Sequence, residues 1–172
     1  MKKNTFIALA IIILVGLIIG GKWYMDKEKD KQELLDIQTD LANYLYNNYV
    51  LYTDDETKVA EIDKEYNKGK GNLTDIEYLE KLKSAQIYSD IKKVEFTKFS
   101  ITPMNTVKAY FTINDIYEDD VSLDTVSAET NNLIYHIGEY NGDGPYYLEK
   151  KKEKTNEVMP EKSIVYYEGR VS

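Results

Sequence analysis

Hydrophobic positions along this chain change their spacing twice. The run Phe6 to Gly21 (FIALAIIILVGLIIGG) carries no charge at all. From Leu34 to about Ala85 apolar residues recur at steps of three and four, the period of a helix. After Ile87 the step falls to two, the period of a strand.

In the helical part, Leu34, Ile37, Leu41, Leu45 and Tyr49 fall on one stripe and predict a helix over about 32–52. The stripe is read as core-facing, with a docking or coiled-coil face as the alternative. Thr53-Asp54-Asp55-Glu56 has the form of a capping box, and Val59, Ile62 and Tyr66 follow at helical spacing, so a second, shorter helix is expected up to Gly69-Lys70-Gly71. Thr74 to Glu77 is another capping box, with Leu73 and Tyr78 placed as a hydrophobic staple. It opens a third helix that runs to about Ala85.

In the strand part, Val94, Phe96 and Lys98 alternate with Glu95, Thr97 and Phe99, and Val107 to Ile113 alternates more cleanly. Val121 to Thr125, Leu133 to Ile137, Tyr146 to Lys150 and Ile164 to Val171 complete the pattern. Helices followed by about six strands on short connections predict an α+β class with a mainly antiparallel sheet.

Between the fourth and fifth of these segments lies Glu139 to Tyr147 (EYNGDGPYY), which resembles the opening of a calcium loop. It fails where that loop is strictest: the first position is Glu139 rather than an aspartate, and the twelfth is Lys150 rather than a bidentate glutamate. Asn141 to Gly144 reads as a four-residue hairpin connection, and a non-helical calcium loop is the alternative.

The uncharged run sets the expected organisation. Thr5 to Met25 would form a helix about 31 Å long, enough to span a bilayer, and Lys22, Trp23 and Tyr24 suit its interfacial end. A cleaved signal peptide is the competing reading, but the run is long for one and no small-x-small site follows it. The expected division is a cytoplasmic tail at 1–4, a signal anchor at 5–25, a charged spacer at 26–31 and an extracytoplasmic domain at 32–172. Lysine counts on the two sides of the span do not favour this orientation; the basic segment leading directly into the apolar run does.

Charge narrows the partners. Residues 1–31 carry six lysines and three acids, which leaves sixteen basic and twenty-seven acidic residues beyond them, a net of −11. Such a domain does not suit nucleic acid or an anionic membrane face, and suits a basic protein. The acids Asp115, Glu118, Asp119, Asp120 and Asp124 gather between two expected strands, as a weak cation site, a surface for a basic partner or a solvated turn. Tyrosine is abundant, with sixteen in the chain, and Tyr146 and Tyr147 join the five acids as candidate partner contacts.

Chemistry is sparse. The chain has no cysteine and a single histidine, His136, placed opposite Tyr135 and Ile137 on its strand. A hydrolase triad and a zinc site therefore have no basis, nucleotide motifs are absent, and no cofactor is expected. A carboxylate pair of the glycosidase kind remains open, although no spacing singles out two acids.

The passage Ile91 to Asp115 (IKKVEFTKFSITPMNTVKAYFTIND) resembles the middle of small membrane-anchored or lipoprotein families of low-GC Gram-positive bacteria. Pro103-Met104-Asn105 stands where those families have a Pro-Met turn followed by glycine, and Asn114-Asp115 stands at their second turn. The resemblance implies a location and a small sheet domain. Some anchored proteins of this kind serve as immunity proteins beside secreted antibacterial toxins. The expectation is thus a non-enzymatic, membrane-anchored protein-binding module, an immunity protein in its most concrete form. A cell-envelope enzyme using a carboxylate pair, or an accessory subunit of a membrane complex docking through the 32–52 helix, are the alternatives.

Overall fold

The computed structural model describes residues 27–68, 73–129, 132–138, 144–169 and 171. The expected anchor at 5–25 lies outside them, and among the described residues no helix is long and apolar enough to cross a membrane.

The class is α+β, and the described residues hold three α-helices and seven strands, in two sheets rather than one. Helix α1 (Lys27–Asn48) is followed by β1 (Tyr49–Asp54), α2 (Glu56–Tyr66), α3 (Asp75–Ser84) and β2 (Gln86–Ser89). Then come β3 (Val94–Ile101), β4 (Val107–Ile113), β5 (Tyr117–Ser122), β6 (Tyr146–Lys150), a turn of 3-10 helix at Glu161–Ser163 and β7 (Ile164–Val165). The small sheet has the order β2-β1-β6 and the larger one β5-β4-β3-β7, and only the β3–β7 pairing is parallel.

A single apolar cluster joins the two sheets to α1. Ile37, Leu41 and Leu45 of the predicted stripe are buried, with Ala42 beside them, together with Leu51 and Leu148 of the small sheet and Val94, Phe99, Phe111 and Ile113 of the larger one. Burying each of these larger side chains contributes about 1.5–3 kcal/mol, which makes α1 the common floor of the molecule.

Several expectations are corrected. The first helix stops at Asn48, because Tyr49-Val50-Leu51-Tyr52-Thr53 is an aromatic and β-branched run that pairs on both sides, with β2 and β6. Thr53 is therefore a strand residue, and the cap of α2 is Asp55, whose carboxylate accepts the Lys58 N–H. The second capping box does form: Thr74 accepts the Glu77 N–H while the Glu77 carboxylate accepts the Thr74 N–H.

In β3 the ladder slips between Phe96 and Lys98, so Phe96 and Phe99 both face the core where strict alternation would have put Phe99 outside. Leu133, Tyr135 and Ile137 are buried but form no strand: only Leu133 bridges, to Val126, and the Tyr135 carbonyl is taken by the Tyr44 hydroxyl. β6 pairs with β1, so no hairpin ladder joins it to 133–137; residues 141–143 of the expected connection lie outside the described residues. The last strand is two residues long, because the N–H and carbonyl of Tyr167 turn to the buried Gln38 side chain of α1.

That last contact is one of a series. Asn43 accepts the Met159 N–H, while Asn47 accepts the Glu157 N–H and donates to the Glu157 carbonyl. Side-chain amides on one face of α1 thus do for the segment 155–167 what a neighbouring strand would otherwise do.

Candidate functional site

The five acids gathered by sequence lie on and around an edge strand. Glu118, Asp119 and Asp120 belong to β5 itself, which begins at Tyr117 rather than at Val121 and pairs with β4 along its whole length. Asp115 sits in the tight turn before it, where Asn114 and Asp115 have φ of 52° and 62° and the Ile116 N–H returns to the Ile113 carbonyl. Two successive positive φ values make this a type I′ connection. Asp124 follows the strand and is exposed.

Most of these charges are engaged within the fold. Lys93 pairs with both Asp115 and Glu95, and Lys108 pairs with Asp120. Both ammonium groups are held above their ordinary pKa by these carboxylates. Asp119 shares the inward side of β5 with Tyr117 and Val121, and burial raises its pKa, against the hydrogen bonds from the Asp120 N–H and the Tyr117 hydroxyl. Glu118, alternating away from them, is exposed to solvent. Among the described residues no three acids or histidines converge on a cation-sized site.

Tyr146 and Tyr147 are not part of this group. They open β6, on the edge of the small sheet, and Tyr147 stands in register with Tyr52, its ring 5.2 Å away. Tyr88 of β2 flanks Tyr52 from the other side at 5.6 Å and donates its hydroxyl to Glu149. The three rings form a cross-strand row on the face turned away from the core. His136 is exposed between the buried Tyr135 and Ile137.

A cleft of about 440 Å³ opens between residues 90–92 and the segment 151–163. Its charges are mixed, Lys92 and Lys151 against Asp90 and Glu157, and the Lys151 ammonium is committed to the Tyr46 carbonyl at 2.8 Å.

Sequence reasoning missed an exposed apolar surface on the short helices. The two short helices are inserted between β1 and β2 as an arm: Asp54 pairs with Gln86, the Asp55 N–H reaches the Ala85 carbonyl at 3.0 Å, and α2 and α3 lie beyond that neck. Neither helix contains a buried residue. The arm is held together by its own contacts: Tyr66 stacks on Tyr78 at 4.2 Å, their hydroxyls donate to Asp75 and Asp63, and Lys81 pairs with Glu65. On the outer side of α3, Ile76 and Leu79 are 70% and 63% exposed. The signal was present in the sequence, since a ten-residue helix with Tyr78 and Leu82 on one side and Ile76 and Leu79 on another carries more apolar surface than one neighbour can cover.

Compared with protein-family models, with curated proteins and with solved structures, the chain finds no match.

Proposed function

We infer that the chain is a single-pass, membrane-anchored, extracytoplasmic protein-binding module, most concretely an outward-facing immunity protein that neutralises a secreted antibacterial toxin. Residues 5–25 are the anchor, with the short tail inside and the α+β domain outside. The observation that carries the binding reading is the arm. Ordering the two helices costs conformational entropy, and helices that bury nothing in the core return little of it within the chain, so contact with another molecule is what the arm has to offer.

Asp115, Glu118, Asp119, Asp120, Asp124, Tyr146 and Tyr147 are the further contacts proposed for a basic partner. Their field, together with the net charge of the domain, acts at longer range than contact and speeds encounter. Anchoring raises the concentration of the module at the surface where a toxin would act.

Deletion of the gene tests this reading. Cells lacking the protein become sensitive to toxin-producing siblings, and the full-length chain restores their survival while a chain lacking residues 1–25 restores it poorly. Unchanged survival of the deletion strain rejects the immunity reading.

A further inference from the structure

We propose that β2 is a dimerisation strand, pairing antiparallel with β2 of a second copy of this chain. The described strands leave four sheet edges, β2 and β6 on the small sheet and β5 and β7 on the larger one. Three of them carry devices that keep an edge from pairing further. β5 bears Glu118, Asp119 and Asp120, and the Asp119 carboxylate occupies the Asp120 N–H. β6 follows Pro145 and bears Glu149 and Lys150, and β7 is two residues long. β2, Gln86-Ile87-Tyr88-Ser89, has no charge, no proline and no bulge in its register with β1, and its Ile87 is 52% exposed.

The sequence of β2 fits a copy of itself. An antiparallel pair within one sheet has its two-fold axis perpendicular to the sheet, so one residue must stand opposite its own copy. With Tyr88 in that position, Ile87 faces Ser89 of the second copy and Gln86 reaches toward its Asp90. Centring on Ile87 instead would set Ser89 against Ala85, which is buried and whose carbonyl is taken by the Asp55 N–H in the neck of the arm. The register at Tyr88 carries the row Tyr147-Tyr52-Tyr88 across the axis, ring beside ring at the spacing the row already has. The Gln86 side-chain oxygen accepts the Tyr88 hydroxyl, while its amide nitrogen and the Asp90 carboxylate have no partner among the described residues; in the dimer the amide donates to the carboxylate. The same operation on β5 would set carboxylate against carboxylate.

Antiparallel pairing sends the two arms out at opposite ends of the paired strands, and within 86–90 no like charges meet. The domains as wholes do repel, through the net −11 of residues 32–172, and a four-residue pairing is small beside a stable interface. The dimer is accordingly weak in free solution, is strengthened by salt, and gains from confinement of both copies at one surface. It is independent of what the arm binds.

The chain has no cysteine, so introduced thiols report the register. Full-length Ile87→Cys and Ser89→Cys proteins are purified, reconstituted together in vesicles of zwitterionic lipid and oxidised. In the dimer the two positions face each other at about 5 Å between Cβ atoms, within reach of a disulfide, whereas either position and its own copy lie more than about 7 Å apart between Cα atoms. The mixture should therefore yield linked dimer at least tenfold faster than either variant alone, and faster still in high salt. Ile87→Cys mixed with Met104→Cys, at an exposed site in the β3–β4 turn, should do no better than the single variants. Adding Tyr88→Lys to both thiol variants sets two ammonium groups at the axis and should cut trapping at least tenfold, while Tyr88→Phe keeps the ring and should keep the rate. Unchanged melting temperatures separate this loss of pairing from a loss of fold. Equal trapping of the mixture and the single variants overturns the proposal, as does trapping that Tyr88→Lys leaves unchanged in the folded protein. A mixture that stays monomeric overturns it too, and leaves the protein-binding reading intact.

Discussion

At the scale of single residues, Asn114 and Asp40 show how much one polar side chain can decide. Asn114 Oδ1 accepts the N–H groups of Lys92 and Lys93, its Nδ2 donates to the Asp90 carbonyl, and its backbone has positive φ. Asn114→Ala loses all three bonds and adds left-handed strain, so unfolding in urea should show a loss of about 2–3 kcal/mol; Asn114→Gly, free of the strain, should lose about 1 kcal/mol less. A loss no larger than that of an exposed polar substitution would mean that these bonds are replaced by water without cost. Asp40 accepts the Tyr135 hydroxyl at 2.7 Å, and its pKa is raised, chiefly by burial, with that hydrogen bond opposing. A raised folded-state pKa means a contribution to stability that is present below the ordinary aspartate value and lost as pH rises through the raised one. Asp40→Asn keeps an acceptor for Tyr135 and carries no charge to desolvate, so it should gain on the wild type between acid and neutral pH. Urea midpoints of the two proteins across that range check the sign, and a difference independent of pH would remove Asp40 as its source.

At the scale of elements, the same residue patterns explain what could be read in the chain and what could not. The helical stripe of α1, the capping box of α3 and the alternation of β4 needed only local rules, and each stands in the structure. The slip in β3 is different: nothing local in Phe96-Thr97-Lys98-Phe99 fixes which phenylalanine turns inward, and the core decides it by taking both. β5 was hidden because edge strands carry charge to discourage further pairing, and a run such as Glu118-Asp119-Asp120 reads as a loop until the neighbouring β4 is known. β1 was lost inside the first helix because Tyr49 continues the stripe by spacing while its neighbours favour a strand. The arm is the element whose stability is most local. Thr74→Ala removes the cap of α3 and should cost about 1 kcal/mol within the arm. Because the arm buries nothing in the core, amide exchange should quicken across 56–84 and stay unchanged in β3 and β4. Faster exchange in the sheets would show that the arm is coupled to the body through more than its neck.

At the scale of the whole molecule, the described residues share one core. The apolar cluster begins with Ile37, half-way along α1, and draws its other members from later turns of α1, from both sheets, from Ile91 and Leu123 next to them, and from the segment 133–164. The polar face of α1 is equally self-contained, since Gln38, Asn43 and Asn47 find their partners in residues 155–167. The described core is thus supplied by residues 37–164, and a chain starting at Lys27 should fold. Its urea midpoint and its amide-exchange pattern should match those of the full chain to within about 0.5 kcal/mol, the range of changes away from structural features. If 5–25 is an anchor, the same truncation should move the protein from the membrane fraction to the supernatant. The two measurements separate the roles: a truncated chain that unfolds would make the uncharged run part of the fold, and a full-length chain that stays in the supernatant would leave it no anchoring role. A folded, released domain is the outcome expected of a module that is complete in itself and held at a surface by a tether.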